Sequence, residues 1–231
     1  MYKAMFFDLD DTLYPEMTFV KSGFKQVARF ISSRRKLDEG LLLDEMMYLL
    51  KKNGRGRIFD DLLEKIGLYS EEWVKMLLYV YRSHKPDIQP FKDVIPFLLY
   101  LKRTGVSTGL ITDGIAPVQQ NKVNALKLDG IFDFIIYTDT LGKDCFKPSP
   151  LPFQIALELL RETIETPKEA AYVGDNVWKD FIAPNMLGMG SIMIGRESEN
   201  APDRNIAYTE SASAKQTFAD FTELYEKIFN S

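Results

Sequence analysis

Residues 4–16, Ala4-Met5-Phe6-Phe7-Asp8-Leu9-Asp10-Asp11-Thr12-Leu13-Tyr14-Pro15-Glu16, set an apolar run directly against a cluster of carboxylates. Four apolar residues in succession suit a short strand buried on both faces. Asp8, Asp10 and Asp11 begin where that run stops. Taken locally they are turn formers, since Asp favours turns. Taken as a strand end in an open parallel sheet they lie where such sheets bind ligands. The rest of the chain decides between the two.

Apolar runs recur at residues 106–112, 134–138, 170–174 and 191–194, and each reads as a further buried strand. Helical spacing lies between and around them. Val94, Ile95, Phe97, Leu98 and Leu101 share one face, and so do Leu151, Ile155, Leu159 and Leu160 behind Pro150, which suits a first turn. Phe181, Ile182 and Met186 come after the fourth run, with Pro184 delaying or kinking their helix. Strand and helix in alternation predict an α/β fold, a Rossmann-like doubly wound parallel sheet with both faces covered. The polar stretch 196–215 reads as loop, and residues 216–229, carrying Phe218, Phe221, Leu224 and Ile228, read as a closing helix.

The first crossover departs from this rhythm. Residues 18–85 carry apolar positions at helical spacing, punctuated by Gly40, Gly54, Gly56 and Gly67, and imply about four helices inserted after the first strand. The expected division is a core of residues 1–14 and 87–231 with a helical insertion at 15–86. Met46, Met47, Tyr48, Trp73, Met76, Tyr79 and Tyr81 read as core of that insertion, and His84 as a polar surface residue near its end.

The strand ends converge on one kind of chemistry. The first is succeeded by Asp8 and Asp10, and the second ends in Thr112 before Asp113 and Gly114. Beyond the third comes Lys147 in Cys145-Phe146-Lys147-Pro148-Ser149-Pro150, and after the fourth come Asp175 and Asp180. One sheet edge thus collects acids, a hydroxyl and a lysine. A hard divalent cation held by oxygen ligands would relieve the repulsion among the acids. Blander readings stand beside these: Thr112 as strand material, Asp11 as a turn residue, Asp180 as a helix cap, and Lys143 as a competitor of Lys147.

The motifs DLDDTL, LITDG, KPSP and VGDNVWKD, in that order from Asp8 to Asp180, resemble those of the haloacid dehalogenase-like hydrolase superfamily, and the insertion resembles its C1-type helical cap. The resemblance implies an aspartate nucleophile at Asp8 and an acid/base at Asp10. It implies charge neutralisation by Lys147, and phosphate contacts from Thr112, Asp113, Gly114 and Lys147. Mg2+ would be held by Asp8, Asp175 and the main-chain carbonyl of Asp10, while Asp180 orients Lys147 or a metal-bound water. Asp10 points to phosphoryl transfer, because haloacid dehalogenases typically lack an acid at that position. The expected function is Mg2+-dependent hydrolysis of a small phosphomonoester, a sugar phosphate or nucleotide-like, through an aspartyl-phosphate. A phosphomutase or haloacid dehalogenase on the same core, or a non-catalytic phosphate-binding regulator, are the alternatives.

Bulk properties narrow the partners. A net charge of -4 over 231 residues gives no electrostatic case for nucleic acid. One cysteine, Cys145, allows no intrachain disulfide and fits a reducing cytoplasm. As a nucleophile it would need a histidine base, and His84 is remote in sequence. No apolar run approaches the ~20 residues that span a bilayer, and the N-terminus lacks signal-peptide features. A cytoplasmic monomer or homodimer acting on a small phosphorylated metabolite is expected. Substrate selection is assigned to residues 14–20 and 55–57, where Arg55 and Arg57 could meet a second anionic group.

Overall fold

A computed structural model of the chain describes residues 2–196 and 212–228. Among the described residues six strands form one sheet: β1 (Ala4–Phe7), β2 (Ser107–Thr112), β3 (Phe134–Tyr137), β4 (Ala170–Gly174), β5 (Gly190–Ile194) and β6 (Gln216–Phe218). Their order is β3-β2-β1-β4-β5-β6, and every neighbouring pair is parallel. The doubly wound α/β sheet expected from the sequence is present. Strand β1 lies at the centre, with Phe7 in register with Leu110 on one side and Val173 on the other. The strand order reverses on either side of β1, which is where ligands of such sheets bind.

Successive residues of β1 face opposite layers. Phe6 joins Ile111, Tyr172, Ala183, and Phe153 and Ala156 of α7 (Leu151–Leu159), in one core layer. Phe7 meets Phe97, Phe132 and Phe221 in the other, with ring centroids 6.4, 5.9 and 6.0 Å away. That second layer is built by α5 (Val94–Arg103) and α9 (Phe221–Ile228), the two Asp93 oxygens holding Arg196 at 2.9 and 2.8 Å and Oδ2 accepting the Phe221 N–H at 2.7 Å.

The helical segment contains α1 (Glu16–Arg35), α2 (Glu39–Asn53), α3 (Ile58–Lys65) and α4 (Glu71–Ser83). Asp38 and Ser70 cap α2 and α4 by accepting the Leu41 and Trp73 amides. The chain divides into two compact units, Met1–Glu16 with Gln89–Ser231, and Met17–Ile88. Each closes its own chain ends. In the first, Phe91 N–H donates to Leu13 O at 3.0 Å; in the second, Asp87 N–H donates to Ser22 Oγ at 2.9 Å.

Three expectations need correction. Residues 216–229 are not one helix: Gln216–Phe218 extends the sheet as β6, and α9 starts at Phe221 after Asp220, whose carboxylate accepts the Glu223 amide. His84 is buried, its ring 4.9 Å from Phe19 and its Nδ1 2.6 Å from Tyr81 O. Burial lowers its pKa. Of the aromatic and methionine positions in the insertion, Met46 is buried, while Tyr48, Met76 and Tyr79 are exposed. The helix α8 (Ile182–Met186) starts late, as Pro184 implies. The polar loop and the tail reach outside the described residues at 197–211 and at Phe229.

Candidate active site

The carboxyl ends of β1, β2 and β4, together with the segment after β3, deliver the site. Asp8 comes directly after β1, its amide donating to Val173 O at 2.9 Å, and its side chain is 2 % exposed. Lys147 Nζ lies 2.6 Å from Asp8 Oδ1, 2.9 Å from Asp180 Oδ1 and 2.8 Å from the Tyr172 hydroxyl, with its own side chain fully buried. Lys143 has no part in this arrangement. Burial alone would lower the lysine pKa, but Asp180, Asp8 and Asp113 more than offset it, so the ammonium stays charged. Tyr172, which reads as plain strand material in the sequence, accepts from Lys147 and donates to Ile111 O.

Carboxylate oxygens of Asp8, Asp175 and Asp180 lie within 4.8 Å of one another. Asp8 Oδ2 is buried with no hydrogen-bond partner among the described residues. Burial, and then the like charges of Asp180 and Asp8, push the Asp175 carboxyl up to about 8. Burial likewise raises Asp8. An unpartnered oxygen beside a crowded carboxylate is a donor set short of positive charge, and hard oxygen donors suit Mg2+. Asp8 and Asp175 therefore fit the divalent cation that the motifs imply. Thr12 Oγ1 donates to Asp175 Oδ1 at 3.2 Å, and Asp180 Oδ2 accepts the Asn176 amide at 2.9 Å.

Asp10 stands in a separate nest. Lys122 Nζ lies 2.7 and 3.0 Å from its two oxygens, Gln119 Nε2 donates to Oδ2 at 2.9 Å, and the Tyr14 hydroxyl donates to Oδ1. Burial raises the Asp10 pKa, but the Lys122 ammonium and the hydrogen bonds of Lys122, Tyr14 and Gln119 outweigh it, and the carboxyl falls below its ordinary value. The neighbouring Asp11 takes a left-handed turn at φ 56 and accepts the Glu16 amide at 2.9 Å, which is turn work.

Thr112 is buried, its Oγ1 accepting from Gln119 Nε2 at 2.6 Å. The Asp113 side chain is engaged by the structure itself. Its Oδ1 accepts from Thr138 Oγ1 at 2.8 Å and from the Lys147 amide at 3.2 Å, and its Oδ2 lies 3.6 Å from Lys179 Nζ. By accepting the Lys147 amide it fixes the backbone that carries Lys147. Gly114 has φ 120, a conformation that favours glycine. Cys145 Sγ donates to Leu141 O at 3.2 Å and makes no contact with the acids. Arg57, exposed on its own unit, pairs with Asp61 and Glu64.

Gln119, Lys122, Tyr172 and Lys179 carry no signal of their own in the sequence, and Tyr14, singled out there only within the loop 14–20, donates to Asp10. Gln119 and Lys122 lie on α6 (Ala116–Ala125), whose buried residues are Gln119, Lys122 and Val123. With no apolar stripe to announce it, that helix is not expected from periodicity at all.

Residues 2–188 match the family described as haloacid dehalogenase-like hydrolase. A glyceraldehyde 3-phosphate phosphatase of Methanopyrus kandleri is 32 % identical over 203 residues, covering 85 % of each chain. A crystal structure of a phosphatase from Thermococcus onnurineus superposes with a TM-score of 0.62 at 23 % identity, covering 98 % of this chain and 97 % of that one. A 2-haloacid dehalogenase from Pseudomonas syringae gives a TM-score of 0.62 at 24 % identity, covering 98 % and 97 %. Those two structures share the fold, and the fold alone does not choose between their chemistries.

Proposed function

The chain belongs to the haloacid dehalogenase-like hydrolases, and from that premise we propose that it hydrolyses the phosphomonoester bond of a small metabolite. One observation carries the choice of reaction. Asp10, two residues beyond the nucleophile Asp8, is held half-buried in a nest of three donors. Dehalogenation has no use for an acid there, whereas phosphate ester hydrolysis must protonate a poor leaving group.

In the proposed reaction an Asp8 oxygen attacks phosphorus, the ester P–O bond breaks, and an aspartyl-phosphate forms. Asp10 gives a proton to the departing oxygen. Asp10 rests as a carboxylate, so that proton arrives with the substrate, whose second phosphate ionisation lies at about 6. Water then attacks the acyl phosphate, losing its proton to Asp10 and releasing phosphate from Asp8. Lys147 balances charge on Asp8 and on the phosphoryl oxygens, and Thr112 with the Asp113 and Gly114 amides supplies further donors. Asp8, Asp175 and the Asp10 carbonyl would hold Mg2+, which when bound supplies the positive charge that the transferring phosphoryl group requires.

The Methanopyrus relative's name makes a three-carbon phosphate ester the first substrate to test. Purified protein would be offered glyceraldehyde 3-phosphate and other small phosphate esters with Mg2+, and inorganic phosphate measured. Metal-dependent release, abolished in Asp8→Asn, supports the proposal. Halide release from 2-haloacids, or phosphate moved between positions of one sugar without release to water, would replace it with the dehalogenase or the mutase.

A further inference from the structure

Helix α6 spends its buried face on a cation and an amide. Lys122 is 4 % and Gln119 2 % exposed. They sit at i and i+3 and so share one side of the helix. An apolar pair of similar volume would serve stability as well or better, since burying an ammonium is costly even when it is paired. The arrangement is directed at Asp10. Lys122 spans both its oxygens at 2.7 and 3.0 Å, and Gln119 reaches Oδ2 at 2.9 Å while also donating to Thr112 Oγ1 at 2.6 Å.

The helix carrying these side chains is itself tied down. Asp139 Oδ2 accepts the Ala116 amide at 3.0 Å, fixing the first turn. At Gly114 a Cβ would stand 3.3 Å from the Gln119 side chain, so the turn after β2 leaves room for it.

We propose that Lys122 and Gln119 are positioning residues for Asp10. They hold its carboxyl group in the one orientation that meets the leaving oxygen, and Gln119 links that orientation to the phosphate-contacting Thr112. The proposal rests on the phosphatase reading above. Orientation matters most when the departing group needs a proton. A misaimed acid therefore slows alkyl esters and spares aryl esters whose phenolate departs unassisted.

The test compares kcat and KM for an alkyl phosphate and for p-nitrophenyl phosphate in Asp10→Asn, Lys122→Met, Lys122→Arg and Gln119→Met. Lys122→Met and Gln119→Met should lose about 10- to 100-fold in kcat on the alkyl ester and about threefold or less on the aryl ester, with KM little changed. Lys122→Arg should recover most of the alkyl rate, because it restores a cation that spans both oxygens. Equal losses on both esters, while Asp10→Asn remains selective, overturn the positioning role. No selectivity in Asp10→Asn overturns the acid assignment and this proposal with it. Should Lys122→Met not fold, Gln119→Met decides alone, since it keeps the Lys122–Asp10 ion pair.

Discussion

Replacing Asp175 by Asn should stabilise the metal-free protein while removing its activity. The Asp175 carboxyl is raised from 3.8 to about 8 by burial and by Asp180 and Asp8. Between those two values the native state holds a proton that the unfolded chain has released, so stability falls as pH rises. The contribution is most favourable below about 3.8 and is lost as pH climbs through about 8. At about 1.4 kcal/mol per pH unit, the ionised carboxylate costs at most about 5 kcal/mol near pH 8. Allowing for solvent at its edge, about 2 to 5 kcal/mol is expected. Asparagine is nearly isosteric, keeps an acceptor for Thr12 Oγ1, and carries no charge.

The assay is thermal unfolding in chelator from pH 5 to pH 8. The advantage of Asp175→Asn should be small at the acid end and reach about 5 to 15 °C at the alkaline end. Added Mg2+ should reverse the order, because the wild type gains binding energy that the variant lacks. A wild-type midpoint that rises with pH relative to Asp175→Asn in chelator would refute the reasoning.

Other perturbations give distinct outcomes. Lys147→Met leaves Asp8 and Asp180 buried without their shared cation; it should cost about 3 to 5 kcal/mol in urea unfolding at neutral pH and abolish turnover, and unchanged stability would count against the buried triad. At Gly174 a Cβ would stand 2.5 Å from Asp180 Oδ2, so Gly174→Ala should lower kcat by about 100-fold through displacement of Asp180, with undiminished kcat showing that Asp180 can yield. Mg2+ affinity, read by titration calorimetry, should rise as pH goes from 6 to 8, because Asp175 must lose its proton first; a flat profile would contradict that.

The parts of the fold legible in the sequence are those the hydrophobic effect writes at fixed period. Residues 170–174 match β4 end to end, and β1 to β3 and β5 fall within a residue or two of the apolar runs. The site's acids were legible because each sits close beyond such a run. Lys147 depended on a motif, since periodicity says nothing of a lysine in a loop. What stayed hidden was polar and buried. Gln119 and Lys122 face Asp10 from a helix whose interior side carries no apolar pattern, and only the three-dimensional placement of β2 and α6 brings them there. Strand β6 was hidden for a related reason. Gln216 and Thr217 are exposed at the sheet edge, and the helix-like spacing of Phe218, Phe221 and Leu224 masked the break between them. His84 is polar by type, and only the rings of Phe19 and Tyr81 reveal it as interior.

The closures at Leu13 with Phe91 and at Ser22 with Asp87 carry an implication for how this chain can be re-engineered. Each unit fastens its own entry and exit beside each other, so a graft replacing residues 17–88 has only a short gap to bridge, at small entropic cost. The sheet and the candidate active site at its edge could then be kept intact while helical modules drawn from other proteins replace residues 17–88.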